Sequence, residues 1–224
     1  VAADEGTAKS NMDKLPPFLV FLACYVIGSF PTAYLVGRLN RINIFEVGSG
    51  NMGANNVTRA LGMKWGGLVW AIDSGKGVVA VLLSQLIMPG DLISASVIGA
   101  IAVVIGHNWS LIAALVTGTL RGGKGAATAG GTWVIMMAPW WYIVVITLTL
   151  WGLIVLITRY VSLAVLVTIA IGAAWVLVLI GMGNVPPTYA FYIVLVPIII
   201  YVRHWKNIQN LLAGRERRLG DRGR

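Results

Sequence analysis

Two glycine-rich stretches hold the chain's densest potential chemistry: Gly48-Ser49-Gly50-Asn51-Met52-Gly53-Ala54-Asn55-Asn56-Val57-Thr58-Arg59 and Gly122-Gly123-Lys124-Gly125-Ala126-Ala127-Thr128. Each combines glycine with hydroxyl or amide side chains and one cation. Loops of this kind expose backbone N–H groups and favour bound anions, more so where they open a helix. In the first stretch Gly50 and Gly53 let the backbone turn close to a ligand, and Ser49 and Asn51 can donate hydrogen bonds. Arg59 offers a bidentate phosphate contact. The segment Ala54–Leu61 reads as a short helix with Arg59 on its second turn. The plainer alternatives are a tight interfacial turn with a snorkelling Arg59 and, for Lys124, a simple membrane-surface anchor. The glycines on either side of Lys124 argue for a site.

Two stronger-looking matches fail on context. Gly48 through Gly53 satisfies G-x-G-x-x-G, but dinucleotide binding needs a parallel sheet with helices on both faces, and this stretch sits between two hydrophobic runs. Gly118 through Gly125 nearly forms a phosphate-binding loop of the ATPase type, yet Gly125 stands where the magnesium-binding hydroxyl is required.

The remaining polar groups are few. Asp73 and Lys76 lie three apart inside an otherwise apolar segment, a spacing that allows a mutual ion pair on a helix. A structural pair holding the loops is the first reading, direct ligand contact the second. His107 closes an apolar run beside Asn108 and Trp109, as an interfacial hydrogen-bond partner would. His204 and Asn207 fall one helical turn apart, flanked by Arg203 and Lys206. Two distant histidines and the single Cys24 make no metal site, and no nucleophile elbow is present. No cofactor or metal is expected.

The elements that must position these residues are membrane spans. The chain is 58% hydrophobic and 11% charged, with mean hydropathy +0.82. Uncharged runs cover 15–37, 92–120, 125–158 and 160–202, and ~20 apolar residues suffice to cross a bilayer. The fold class expected is all-α and membrane-integral, with glycine-rich loops and short interfacial helices. Spans are placed near 16–38, 65–88, 92–109, 124–138, 139–158, 161–182 and 187–206. The run 125–158 is long for one crossing and short for two. Charge parity settles it: with a break near Ala138-Pro139, every Lys and Arg except Lys9 and Lys14 falls on one face. Seven transmembrane helices follow, with the N-terminus outside and the C-terminus cytoplasmic. The organisation expected is a flexible polar tail over 1–14, a seven-span unit over 15–206 and a basic tail over 207–224. The first span is expected to remain as an anchor, since 1–14 lack a signal peptide's basic-then-apolar order. The formal net charge of +9 fits membrane lipids as partners, not nucleic acid.

Taken in order, these residues resemble the bacterial acyl-phosphate-dependent glycerol-3-phosphate acyltransferases. The match runs over residues ~20–220 and includes Gly28-Ser29, Gly48 to Gly62, Asp73 with Lys76-Gly77, Gly106-His107, Gly122 to Thr128, Arg159 to Leu163, and His204 through Asn207 to Gly214 and Glu216. The resemblance implies a seven-span enzyme of the bacterial inner membrane with its active site facing the cytoplasm. It implies transfer of a fatty acyl group from acyl phosphate to the sn-1 hydroxyl of glycerol 3-phosphate, giving lysophosphatidic acid and inorganic phosphate. Ser49, Asn51, Gly122, Gly123 and Thr128 would line the acyl-phosphate site, with Gly50, Gly53 and Asn55 in the same loop. Arg59, Lys124, Ser162, His204 and Asn207 would hold glycerol 3-phosphate and neutralise charge near the reacting carbonyl. Asp73, Lys76 and His107 would support them. The resemblance also implies that the acceptor's own phosphate takes the hydroxyl proton, with His204 as the rival base. A soluble acyl-phosphate-producing acyltransferase is implied as a metabolic partner.

The chain departs from that pattern in five places. Five extra residues lie between His107 and Gly122, Ser110 replaces a common proline, Arg121 a frequent lysine, Asn55 a usual threonine, and Trp205-Lys206 an Arg-Glu pair. The rival functions are an organophosphate or anion transporter using the same loops, or a catalytically silent scaffold. Charged loops gathered on one face, rather than at the bilayer midplane, speak against transport.

Overall fold

The computed structural model describes residues 2–221, with side chains from Leu15 onward. Every regular element among the described residues is helical. In chain order these are α1 (Ala2–Ser29), α2 (Thr32–Leu39), α3 (Ala54–Leu61), α4 (Met63–Ile87), α5 (Leu92–Asn108), α6 (Leu111–Thr117), α7 (Ala126–Met136), α8 (Trp141–Thr158), α9 (Val161–Gly181), α10 (Tyr189–Arg203) and α11 (Trp205–Leu212), with a 3₁₀ turn at Ala138–Trp140 before α8. Residues 1–14, expected as a flexible polar tail, are helical in backbone from Ala2, and their side chains and residue 1 lie outside the described set.

Five helices, or consecutive helix pairs, are long and apolar enough to cross a membrane: Leu15–Leu39, Met63–Ile87, Leu92–Thr117, Ala138–Thr158 and Val161–Gly181. This is an all-helical, multi-pass membrane protein. Two of the expected spans come out shorter. The helix α10 has 15 residues, and α7 has only 11, which is ~16 Å and about half a hydrocarbon core. A 3₁₀ turn nevertheless separates α7 from α8 at Ala138–Trp140, where the charge-parity argument put the break.

Three helix ends set the limits of these elements. Asp91 caps α5 by accepting from the Ser94 N–H at 3.0 Å. The first span, expected as one helix over 16–38, is interrupted at Phe30-Pro31 because Pro31 brings no N–H to the ladder. The last, expected over 187–206, bends at His204, where α11 departs.

Small residues bring the helices close. A Cβ on Gly77 of α4 would strike the Thr128 carbonyl of α7, and one on Gly131 of α7 would strike the Ser74 carbonyl of α4. This reciprocal contact seats the short α7 against a long neighbour, as small residues do where lipid supplies no hydrophobic drive. The apolar core runs through Val20, Cys24, Val103, Val104, Met137 and Val176, each fully buried. A second cluster of Ala33, Val36, Ile44, Met52 and Val57 lies beneath the first glycine loop. The stretch carrying the extra residues forms α6, whose Ala113 completes that second cluster. Ser110 explains the departure from proline: its hydroxyl donates to the Ser29 carbonyl and accepts from the Ala113 N–H at 3.0 Å, capping α6.

Candidate active site

The first glycine loop is organised by a residue that the sequence reading passed over. Asn56, 2% exposed, accepts from the Ser49 N–H at 2.8 Å. It donates to the carbonyls of Ile44, Val47 and Asn51 at 3.1, 3.1 and 3.2 Å. One amide side chain thus replaces the missing backbone pairing across eight residues and leaves Ser49 and Asn51 facing open space. Its neighbour Asn55 is exposed and lines the same space.

The second loop is held from two sides. Arg203 donates to the Gly123 carbonyl at 2.8 and 3.2 Å and to the Gly122 carbonyl at 3.2 Å, while its guanidinium lies 5.7 Å from the Trp109 ring centre. The Gly123 N–H donates to the His107 carbonyl at 3.0 Å. A Cβ at Gly123 would overlap His107 Nε2 and come within 2.6 Å of the Met52 carbonyl. Only glycine permits that approach, and through it the two loops touch. Arg121 adds a second tie, 5.9 Å over the Phe45 ring.

The loops share a cavity of about 880 Å³. Four helix starts open into it: Gly53 to Asn55 at α3, Gly125 to Ala127 at α7, Val161 and Ser162 of α9, and His204, Lys206 and Asn207 at α11. Orphan N–H groups at each start make that end receptive to anions. Arg59, Lys124, Arg203, Lys206 and Arg217 add cationic side chains to the same wall. Below them the lining turns apolar, with Trp70, Trp133, Trp151, Val165, Ile169 and Val196. The cavity therefore has a charged mouth and a greasy groove between α4, α7, α8, α9 and α10.

A chain of contacts crosses the mouth. Lys124 Nζ donates to Asn207 Oδ1, Asn207 Nδ2 donates to Glu216 Oε1 at 2.6 Å, and Ser162 Oγ donates to the same oxygen at 2.7 Å. The cluster crosses the boundary expected at residue 206. Burial, partly opposed by Glu216 and reinforced by Arg59, holds the Lys124 ammonium down at about 8. Burial likewise lowers Arg59, with Arg217 acting in the same sense. His204 lies past the end of α10 and is lowered to about 4, chiefly by burial and next by Lys124. Its Nδ1 sits 2.9 Å from the Ile200 carbonyl, so that nitrogen carries the proton and donates.

Asp73, Lys76 and His107 form a buried group behind the wall. Asp73 Oδ1 is 2.8 Å from Lys76 Nζ and accepts from Thr32 Oγ1 at 2.8 Å. Lys76 also donates to the carbonyls of Phe30 and Gly28 at 2.9 and 3.3 Å, and lies 3.3 Å from His107 Nδ1. The lysine therefore satisfies carbonyls freed where α1 breaks before Pro31.

The structure brings Ser49, Asn51, Gly53, Asn55, Arg59, Lys124, Ser162, His204 and Asn207 together around one cavity, with Asp73 and His107 reaching its edge. It does not put Gly50, Gly122, Gly123, Thr128 or Lys76 on the lining. Gly122 and Gly123 are packed against the carbonyl ends of α5. Thr128 is fully buried, on the stretch of α7 packed against Gly77 of α4, and its hydroxyl has no partner among the described residues. Gly50 turns at φ +66 within the first loop. These residues pack behind or beside the lining. Three organising residues had no assigned role in the sequence reading: Asn56, Arg203 and Glu216. Glu216 carried a signal, as one of only two acids in the basic tail.

Residues 18–214 match the family model described as glycerol-3-phosphate acyltransferase. The chain is 37% identical to the glycerol-3-phosphate acyltransferase of Rubrobacter xylanophilus over 91% of its own length and 96% of the relative's. It is 35% identical to glycerol-3-phosphate acyltransferase 2 of Moorella thermoacetica, over 91% and 98%. It is also similar to a crystal structure of PlsY (YgiH), an integral membrane glycerol 3-phosphate acyltransferase in its glycerol 3-phosphate form. That likeness has TM-score 0.78 at 32% identity, covering 91% of this chain and 96% of that one. The lysophosphatidic acid form of PlsY matches with TM-score 0.75.

Proposed function

The chain belongs to the glycerol-3-phosphate acyltransferase family, and from that premise we propose acyl phosphate as its donor and the sn-1 hydroxyl of glycerol 3-phosphate as its acceptor. The products are 1-acylglycerol 3-phosphate (lysophosphatidic acid) and inorganic phosphate, the first acylation of phospholipid synthesis. One observation carries the reading: a single cavity joins a mouth of helix starts and cations to an apolar groove. Two phosphate-bearing substrates, one with a fatty tail, need that combination.

The same reading takes the chain through the membrane seven times, with α7 and α10 completing the count. The N-terminus lies outside, and the site and C-terminus face the cytoplasm of a bacterial inner membrane. The cations of 38–64, 121–124, 159 and 203–221 support this orientation, since they gather at the site's end of the bundle. The turns at 88–91, 137–140 and 182–188 carry none.

Arg59, Lys124, Ser162 and Asn207 hold the acceptor and the charge near the reacting carbonyl. Ser49, Asn51 and the start of α3 receive the donor's phosphate. The hydroxyl oxygen attacks the carbonyl carbon, the bond from that carbon to the phosphate oxygen breaks, and inorganic phosphate leaves. Acyl phosphate is already activated, so positioning and charge stabilisation supply most of the acceleration.

The hydroxyl proton goes to the acceptor's own phosphate. A phosphate monoester has a second pKa of about 6, whereas His204 is held at about 4. The substrate is thus the stronger base, and His204 orients it. His204→Gln is expected to keep substantial turnover. Loss of about 10²-fold or more in kcat with unchanged substrate binding is what removing a general base would produce, and it would reverse the assignment.

The function itself is tested with purified protein, acyl phosphate and labelled glycerol 3-phosphate, without acyl-CoA or acyl carrier protein. Labelled lysophosphatidic acid is the expected result. Vesicle uptake of the label without acylation would favour the transporter reading.

A further inference from the structure

The deep end of the groove is closed by protein. Two adjacent residues of α7 send contacts in different directions. Thr132 Oγ1 lies 2.9 Å from the Tyr192 hydroxyl on α10. Trp133 Nε1 donates to Thr147 Oγ1 on α8 at 3.0 Å. The same indole packs against Gly172 on α9, where an added methyl would meet ring carbons at 3.1 to 3.5 Å. Residues 132 and 133 therefore tie α7 to three neighbours at one level. Past that level Met136, Met137, Ile143, Val176 and Leu179 are at most 5% exposed, and none of them lines the cavity.

The depth can be read along α9. From Ser162 at the mouth to Gly172 the helix advances by ~15 Å. An extended alkyl chain advances ~1.3 Å per carbon, given a C–C bond of ~1.5 Å. A tail of about 12 carbons reaches the indole. The donor comes from the bilayer with its tail already out of water, so each further methylene adds little attraction. Length is selected by contact with whatever stops the tail.

We propose that Trp133 is that stop, a specificity-determining residue that fixes the acyl length this enzyme transfers best. The inference rests on the acyl-donor reading above. The indole suits the part because its N–H is held by Thr147 and its face by Gly172, so it cannot swing aside without losing both.

The test compares kcat/KM for acyl phosphates of about 12 and about 18 carbons, the longer overrunning the stop by ~8 Å. Trp133→Ala is expected to raise the long-to-short ratio about tenfold, the order of penalty that an overfilled apolar site imposes. Ile169→Phe, which narrows the groove nearer the mouth, is expected to move the preference down to about 8 carbons by the same arithmetic. Should Trp133→Ala not fold, Trp133→Phe carries the same comparison with a smaller shift in the same direction. Unchanged length profiles in the position-133 variants, with transfer intact, would remove Trp133 as the stop. Absence of transfer from acyl phosphates of every length in the unmodified protein is a different result: it would end the donor reading and the stop together.

Discussion

Lys124→Ala is expected to lower kcat/KM by about 10²–10³-fold while leaving a folded protein, the loss found when one preorganised donor is removed from a site of developing charge. Three features set this expectation. Lys124 stands just before the start of α7, its Nζ contacts Asn207, and Arg59 faces it across the mouth closely enough to lower its pKa. The structural cost is small, because the Asn207 oxygen it abandons opens onto the cavity, where water can replace the ammonium. The same lysine gives a pH signature. Its pKa, lowered to about 8, leaves it charged below that value and neutral above it. A bound phosphate favours the charged form, so glycerol 3-phosphate affinity is expected to hold up to pH 8 and then fall about tenfold per unit. Calorimetry of acceptor binding across that range, with thermal unfolding of the variant in detergent, checks both halves. Full activity in Lys124→Ala would take this lysine out of the site.

What could be read before any coordinates divides along a physical line. The α3 segment and the turn at Ala138–Trp140 were legible, because local rules on glycine and charge sidedness decide them. So was the meeting of the two glycine loops, inferred from shared residue types and from the acyltransferase resemblance. The interruptions at Pro31 and His204 were not read. A hydrophobicity pattern runs through both, and what permits each break is a distant partner: Lys76 capping carbonyls at the first, α11 turning into the mouth at the second. The short α7 was read as a longer span, since its apolar run continues past the point where the helix ends. Asn56 looked like any loop asparagine, and Arg203 like any interfacial cation. Their roles exist only once Ile44, Val47, Gly122 and Gly123 are folded around them.

The buried pair Asp73–Lys76 provides the other large effect. Lys76→Met is expected to destabilise the fold by about 3–5 kcal/mol, the cost of stranding one charge of a buried pair. It removes the partner 2.8 Å from Asp73 and the donor to the carbonyls of Gly28 and Phe30. Those carbonyls close α1, and His107 beside them supports Gly123. Loosening the group should therefore reach the second loop, so activity is expected to fall as a consequence of lost structure. Asp73→Asn keeps the hydrogen bond from Thr32 but strands the lysine, and is expected to cost a similar amount. The double variant Asp73→Asn/Lys76→Met strands neither charge, so its loss should be smaller than the two single losses added together. Thermal unfolding in detergent reads this coupling directly. A ligand-binding role for the pair would show the opposite split: a large rise in KM for glycerol 3-phosphate in Asp73→Asn, with unfolding unchanged and no recovery in the double variant.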